Sequence, residues 1–483
     1  MKPNTLYYGD CLEVMREWPD ACVDLIYLDP PFNSNADYNI IYGREKMNGG
    51  AVKRKDLAQL TAFTDTWEWN EKTAERIRAI KRSVGHRARN AVIALDAFYQ
   101  GGAGMLAYLV YMADRIDEMP RLLKDTGSFY LHCDPTASHY LKMILDDVFG
   151  AKNFRNEIVW AYSGTGRPTK KYKSKSDTIL FYTKSEDYLF NVQAEPYTNP
   201  NTIKRFDKTD SEGNRYKIWN TRGIKRKVYM KNQPLGNVWN IDVIGATSKE
   251  RLGYPTQKPL ALLDRIIKAS SNEGDVVLDP FCGCGTTIEA AMNLKRDFVG
   301  IDISMLALDV IQKERLKNIK FNVEGTPRDL PSAREMAKNR PFAFEKWAVH
   351  LVPGFVTNNK QTGDGGVDGW AGLLNPPPDE DGICIAQVKG GKPNVDALRA
   401  FAGKIKSGEA SAGVFITMQP WDTPTVRQCV AEAGKLKQGA SEYNRLVMWS
   451  IAEYFAAVKP DLPPLAHPRT GRPLQEDLMV SRK

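Results

Sequence analysis

Residues 274–304 read GDVVLDPFCGCGTTIEAAMNLKRDFVGIDIS. Asp275 to Leu278 is a short apolar strand, and Gly283-Cys284-Gly285 makes a tight turn. Thr286 to Leu294 follows as a helix, with Ile288, Ala291 and Met292 on its apolar face. Phe298 to Ile301 is a second strand, closed by Asp302. Together they form a βαβ unit with glycines at the first turn and an acid after the second strand. Such an acid is placed to accept hydrogen bonds from the two ribose hydroxyls of an adenosyl group. The full GxGxxG pattern is missing, which disfavours a dinucleotide; an adenosyl group without a pyrophosphate needs less backbone approach.

A second strand-end lies near the N-terminus, in VDLIYLDPPFNSNADYN (residues 23–39). Val23 to Leu28 reads as a buried strand that stops at Asp29-Pro30-Pro31-Phe32. Two prolines cannot continue a strand's hydrogen bonding, and each biases the preceding residue towards extended backbone. A carboxylate and an aromatic ring are thereby held at the strand's carboxyl end, where open α/β sheets bind ligands. Taken alone, DPP is only an Asp-Pro turn.

The remaining numbers bound the answer. A chain of 483 residues is too long for one core, so two or three domains are expected. No apolar run is long enough to span a bilayer and the N-terminus lacks a signal-peptide pattern, so a cytoplasmic protein is expected. Seven scattered cysteines, never spaced CxxC, indicate neither a disulfide framework nor a zinc site. The close pair Cys282 and Cys284 reads as packing. The net charge of +9 is concentrated: residues 152–231 carry 18 Lys and Arg against 8 Asp and Glu. Aromatic residues interleave with that charge (Trp160, Tyr162, Tyr172, Tyr216, Trp219, Tyr229), as on a surface that meets phosphates and bases.

In combination, DPPF followed by DPFCGCGTT with a basic region between resembles the catalytic and cofactor signatures of the DNA amino-methyltransferases, in the order of their beta group. GSFYLHCD (127–134), FRNEIVWAY (154–162), DTILFYTKS (177–185) and YPTQKP (254–259) resemble further segments of that family. The resemblance covers about residues 5–315 and implies S-adenosylmethionine as cofactor and double-stranded DNA as partner. It implies that Asp29, Pro30, Pro31 and Phe32 form the target-base pocket. Asp279, Phe281, Gly283, Gly285, Thr286 and Asp302 would line the cofactor, with Asp10 on its adenine or methionine side and Lys258 near its carboxylate.

Those residue types suit methylation of an exocyclic amino group. Its lone pair is delocalised into the ring, so the nitrogen must be drawn towards tetrahedral geometry. The Asp29 carboxylate and the Pro30 carbonyl can each accept one N–H, and Phe32 can stack on the base. Methylation at cytosine C5 would require a nucleophilic cysteine, and the chain has no Pro-Cys dipeptide. The base must be flipped out of the duplex, and residues 186–240 read as the basic insert that recognises the target. Residues 41–95 read as a second irregular insert, with Trp67 and Trp69 in core packing rather than on DNA.

Beyond about Arg315 the pattern changes. Residues 316–340 read as a polar, proline-punctuated linker. PFAFEKWAVHLV is then an amphipathic helix, ICIAQVKGG and AGVFIT are strands, and VDALRAFAGKI is a helix. GDGGVD and QVK resemble the Mrr-type branch of the PD-(D/E)xK restriction-endonuclease fold. That resemblance implies Asp368 as a Mg²⁺ ligand, Glu345 as an auxiliary one and Lys389 orienting the attacking water. Gln387 stands where much of that superfamily has an acid. His132, His139 and His350 read as packing or surface residues.

The expected fold is α/β: a doubly wound, mostly parallel Rossmann-like methyltransferase sheet over 1–315 with its recognition insert at 186–240. A smaller α/β restriction-endonuclease-like domain over 341–460 and a polar tail at 461–483 follow. The expected activity is transfer of a methyl group to N6 of adenine in a flipped-out DNA base, in a restriction–modification setting. N4 of cytosine uses nearly the same pocket. A Mg²⁺-dependent nuclease whose methyltransferase half is a sensor is the reading from another class, and a non-catalytic DNA-binding protein is a third. A second copy of the chain or a restriction-system subunit would be its protein partner. No GxxxxGK[ST] loop is present, so ATP-driven translocation would need another subunit.

Overall fold

Nine strands build the N-terminal sheet: β1 (Thr5–Tyr8), β2 (Val23–Leu28), β3 (Leu123–Cys133), β4 (Phe154–Ala161), β5 (Ser176–Thr183), β6 (Val238–Asn240), β7 (Val276–Asp279), β8 (Asp297–Asp302) and β9 (Asn322–Glu324). Their spatial order is β6-β4-β5-β3-β2-β7-β8-β1-β9. Neighbours pair in parallel except β5, which runs antiparallel to both β3 and β4. The computed structural model describes residues 1–31, 37–41, 59–64, 67, 69–100, 103–163, 168–170, 172–245, 247–254, 256–317, 319–358, 366–378, 380–466 and 474, with backbone alone for 37–41 and 59–64.

Every residue of β2 is buried. Ile26 and Leu28 enter the apolar cluster on one face of the sheet, and Leu25 and Tyr27 the cluster on the other. A strand covered on both faces reads as an unbroken apolar run, which is how VDLIYL appears. The first face is covered by α1 (Cys11–Arg16), α2 (Glu71–Arg82), α3 (Arg89–Tyr99), α4 (Gly104–Leu122) and α5 (Ser138–Leu145); the second by α6 (Leu260–Ser270) and α7 (Thr286–Asn293). Among the described residues, no helix is long and apolar enough to cross a membrane.

The expected irregular insert at 41–95 needs correction, because α2 and most of α3 lie within it. Helix α2 buries only Ile77 and Ile80 beneath a charged surface, so its apolar face is too narrow to stand out in the sequence. It is capped by the Asn70 side chain and tied to α4 by an ion pair from Arg76 to Asp114. Trp67 packs on Tyr108 and Tyr111, with ring centroids 5.7 and 4.4 Å apart, and so belongs to the core.

Within 186–240, strands at 208–209, 215–221 and 224–229 form a separate antiparallel sheet. Strand 224–229 is exposed along its whole length. The end of the insert returns to the main sheet, where Trp239 of β6 is buried.

The stretch 316–340 carries ordered structure instead of a free linker. Strand β9 pairs with β1, and α8 (Met305–Val310) is followed by α9 (Leu330–Asn339), which has a capping box between Asp329 and Ser332. Pro331 sits in the first turn of α9, where its missing N–H leaves no helical bond unmade. Helix α10 (Pro341–His350) follows directly and packs on the first domain, with the Tyr8 hydroxyl donating to the Ala343 carbonyl at 3.1 Å.

The C-terminal sheet runs β10 (Val356–Thr357), β11 (Gly369–Gly372), β12 (Ile383–Lys389), β13 (Ala412–Thr417) and β14 (Leu446–Ser450), in that spatial order. The pairs β12–β13 and β13–β14 are parallel and the others antiparallel. Helices α11 (Val395–Lys406) and α12 (Pro424–Ala433) cover one face, and α9 and α10 the other. The expected polar tail begins with packed residues: Leu465 bridges to Leu373, and Leu465 and Ala466 are buried.

Candidate active site

Because β2, β7, β8 and β1 lie side by side and parallel, their carboxyl ends share one sheet edge. Asp29 follows β2, Asp279 ends β7, Asp302 ends β8, and Gly9-Asp10 follow β1. A cavity of about 1040 Å³, counted with the space open to solvent, lies against that edge. Asp10, Asp29, Pro30, Pro31, Lys258, Asp279, Phe281, Gly283, Thr286 and Asp302 all line it.

Two expected residues do not join them. Gly285 is absent from the lining; it adopts a left-handed conformation (φ +77°) at the start of α7, and a Cβ there would come within 2.7 Å of Ile311 Cγ1. Its smallness serves the packing of the helix. Phe32 lies outside the described residues.

The acids differ in environment. Asp302 accepts from the backbone N–H of Gly283 and of Ser304, both at 2.8 Å, and burial pushes its carboxyl up to about 6. Asp279 is 2 % exposed and accepts from Phe281 N–H at 3.0 Å. Burial, with the charges of Asp29 and Asp302 adding to it, pushes it up to about 7 in spite of a bond from Thr287. Asp10 caps α1 by accepting from Leu12 N–H, and its other oxygen is ion-paired with buried Arg115. Cys282 and Cys284 are buried, and Arg315 donates to the Cys284 sulfur at 3.4 Å.

Lys258 lines the cavity beside Asp29. Its ammonium donates to Asp29 Oδ2 at 2.5 Å. On the far side of Asp29, His132 Nδ1 stands 3.7 Å from Oδ1. That imidazole is fully buried, with the Tyr27 hydroxyl 2.9 Å from Nδ1 and Asp177 Oδ2 3.3 Å from Nε2. The expectation that His132 only packs is corrected by these partners. The signal was in the sequence: a histidine inside the apolar run FYLHC, on a strand covered on both faces, must find polar partners. Which partners cannot be read without strand order, because Asp177 is 45 residues away.

In the C-terminal domain, Asp368 precedes β11, and its Oδ2 accepts from Val388 N–H at 2.6 Å. Gln387 lies on β12, and its Oε1 is buried with no hydrogen-bond partner among the described residues. Lys389 ends the same strand, and Glu345 is half-buried on α10. Gly363, Asp364 and Gly365 of GDGGVD lie outside the described residues. Among the described residues, no three His, Cys, Asp or Glu side chains converge as a metal site.

The family described as DNA methylase, of the N6/N4 type, matches residues 23–313. The chain belongs to the DNA methylase family. A second family, described as restriction endonuclease (the Mrr catalytic type), matches residues 336–438 of the methylase chain, from within α9 to beyond α12. Among its relatives is the type II methyltransferase M.EcaI of Enterobacter cloacae, 30% identical over 262 residues, 43% of this chain and 57% of the relative. Another is the type II methyltransferase M.HpaI of Haemophilus parainfluenzae, 33% identical over 217 residues, 44% of this chain and 61% of the relative. A third is the DNA adenine methyltransferase YhdJ of Escherichia coli K12, 28% identical over 303 residues, 62% of this chain and 79% of the relative. The methylase chain thus spans less than two thirds of the length of the first two.

Proposed function

We propose that this methylase moves the methyl group of S-adenosylmethionine to the N6 amino group of adenine in a base flipped out of double-stranded DNA. The observation that carries the reading is the row of four carboxylates on one sheet edge, around a single cavity, with Asp29 among them. The donor set suits the cofactor: an acid-rich cavity matches a molecule bearing sulfonium and ammonium charges. Asp302 would take the ribose hydroxyls through lone pairs not used by Gly283 and Ser304, and Asp279 the cationic or amino side. The cofactor supplies an electrophilic methyl group on sulfur.

The chain's residues do the rest. The Asp29 carboxylate accepts one amino N–H and the Pro30 carbonyl the other, which aims the nitrogen lone pair. Lys258 and His132 hold Asp29 from either side. Positioning of this kind can supply about 7–11 kcal/mol of the barrier reduction. The exposed ribbon at 215–229 carries Arg215, Lys217, Arg222, Lys225, Arg226 and Lys227 with no acid between them. A two-stranded ribbon fits the DNA major groove, and phosphate contacts there offset the cost of about a few kcal/mol for flipping a base. The adenine choice is supported by the kinship with a DNA adenine methyltransferase.

The test is mass spectrometry of nucleosides from DNA of cells expressing the full chain, beside an Asp29→Ala control. N6-methyladenine above the control is expected. N4-methylcytosine would keep the mechanism and change the base. Modification undiminished in Asp29→Ala would overturn the site.

A further inference from the structure

We infer that His132 and Asp177 form a relay that carries away the proton released at the target nitrogen through Asp29. The inference rests on the methyl-transfer reading above.

The strand order creates the arrangement. Strands β5, β3 and β2 are adjacent, and β5 runs antiparallel, so its start lies beside the carboxyl end of β3. Tyr27 on β2, His132 on β3 and Asp177 on β5 are thereby brought together just beneath Asp29. The imidazole is held edge-on by the Trp160 ring, centroids 5.4 Å apart. Asp177 is kept low, against its own burial, by the hydrogen bond and charge of His132, the charge of Lys258 and the Tyr162 hydroxyl, which donates at 3.1 Å. Among the described residues, the ionisable groups beside His132 include Asp29, Tyr27 and Asp177, and Tyr162 and Lys258 act on Asp177 in turn.

A buried histidine between two carboxylates, one at the reacting base and one reaching solvent, has the form of an exit route. His132 has no exposed side chain, whereas those of Asp29 and Asp177 are each 15% exposed, so the proton enters and leaves through carboxylates. In the reaction the amino nitrogen forms a bond to the methyl carbon, and the sulfur–carbon bond breaks with its electron pair going to sulfur. The nitrogen then loses one proton to Asp29 Oδ1. Asp29 is ion-paired with Lys258 on its other oxygen. His132 takes the proton at Nδ1, displacing the Tyr27 hydroxyl that bonds there at 2.9 Å, and Nε2 passes its own proton to water along Asp177, which stays ionised at rest. The 3.7 Å gap between Oδ1 and Nδ1 is of the kind that shortens once substrate fills a site.

His132 is thus a positioning residue acting through Asp29, and the pH profile separates relay from scaffold. Single-turnover methylation of unmethylated plasmid DNA with tritium-labelled S-adenosylmethionine would be followed from about pH 5.5 to about pH 8.5. For the wild-type chain the rate should fall towards low pH. In His132→Gln the rate at about pH 8 should drop about 100-fold and the low-pH limb should disappear, with cofactor affinity unchanged. Asp177→Asn, at a partly exposed position, should lower the rate in the same direction, and it decides the matter if His132→Gln does not fold. Folded variants with wild-type rates and an unchanged low-pH limb would overturn the relay alone. No methylation by the wild-type chain, at any pH, would overturn the underlying reading and the relay with it.

Discussion

Replacing Asp279 by Asn should stabilise the chain at neutral and alkaline pH while weakening its cofactor site. The carboxyl of Asp279 is raised from 3.8 to about 7, burial being the main cause. A raised folded-state value means that the stability associated with the protonated acid is fully present below about pH 4 and is lost as pH rises towards 7. Between those limits the folded state holds a proton that the unfolded chain does not, so the loss runs at about 1.4 kcal/mol per pH unit and totals about 4 kcal/mol. Asn mimics the neutral acid and can still accept from Phe281 N–H, so the variant escapes this loss. The difference in unfolding free energy between Asp279→Asn and wild type, from urea titrations, should therefore grow from near zero at about pH 4 to a plateau above about pH 7. Cofactor binding adds a second readout. A cationic ligand favours the ionised acid, so at about pH 7 binding to wild type should release protons, counted by calorimetry in buffers of different ionisation enthalpy. The variant should bind more weakly and release fewer. A stability difference that does not change with pH would refute the assignment of a buried, largely protonated acid to this position.

Three further outcomes follow from other parts of the structure. Gly285→Ala should cost about 1–3 kcal/mol by overpacking against Ile311, plus about 1–2 kcal/mol for the left-handed backbone; thermal denaturation would check it, and an unchanged midpoint would contradict the packing role. Arg226→Ala combined with Lys227→Ala should weaken DNA binding and lower the salt slope of log affinity by about 1 for each phosphate no longer neutralised, with cofactor affinity untouched. Asp368→Asn should abolish any Mg²⁺-dependent plasmid cleavage and reduce Mg²⁺ affinity by about 10- to 100-fold, seen as loss of a Mg²⁺-induced rise in thermal midpoint, while methylation persists. Gln387 Oε1 is buried and without a partner among the described residues.

Local chemistry made much of this protein legible in one dimension. The proline stop after β2 and the glycine turn between β7 and α7 follow from backbone rules that act over a few residues, so DPPF and DPFCGCGTT announce strand ends carrying acids. The same holds for the C-terminal strands ICIAQVK and AGVFIT, whose continuous apolar runs mark burial on both faces. Helix α2 was hidden because two isoleucines under a charged surface leave a weak period, and α9 because proline in a first turn looks like a linker from outside. Tertiary structure alone decided which acids meet. Asp10, Asp29, Asp279 and Asp302 lie up to hundreds of residues apart in the chain and become neighbours only through the order β2-β7-β8-β1. Lys258 reaches Asp29 across 229 residues, and His132 reaches Asp177 only because β5 reverses direction beside β3. Strand order is a property of how whole faces bury against one another, and no local window of sequence contains it.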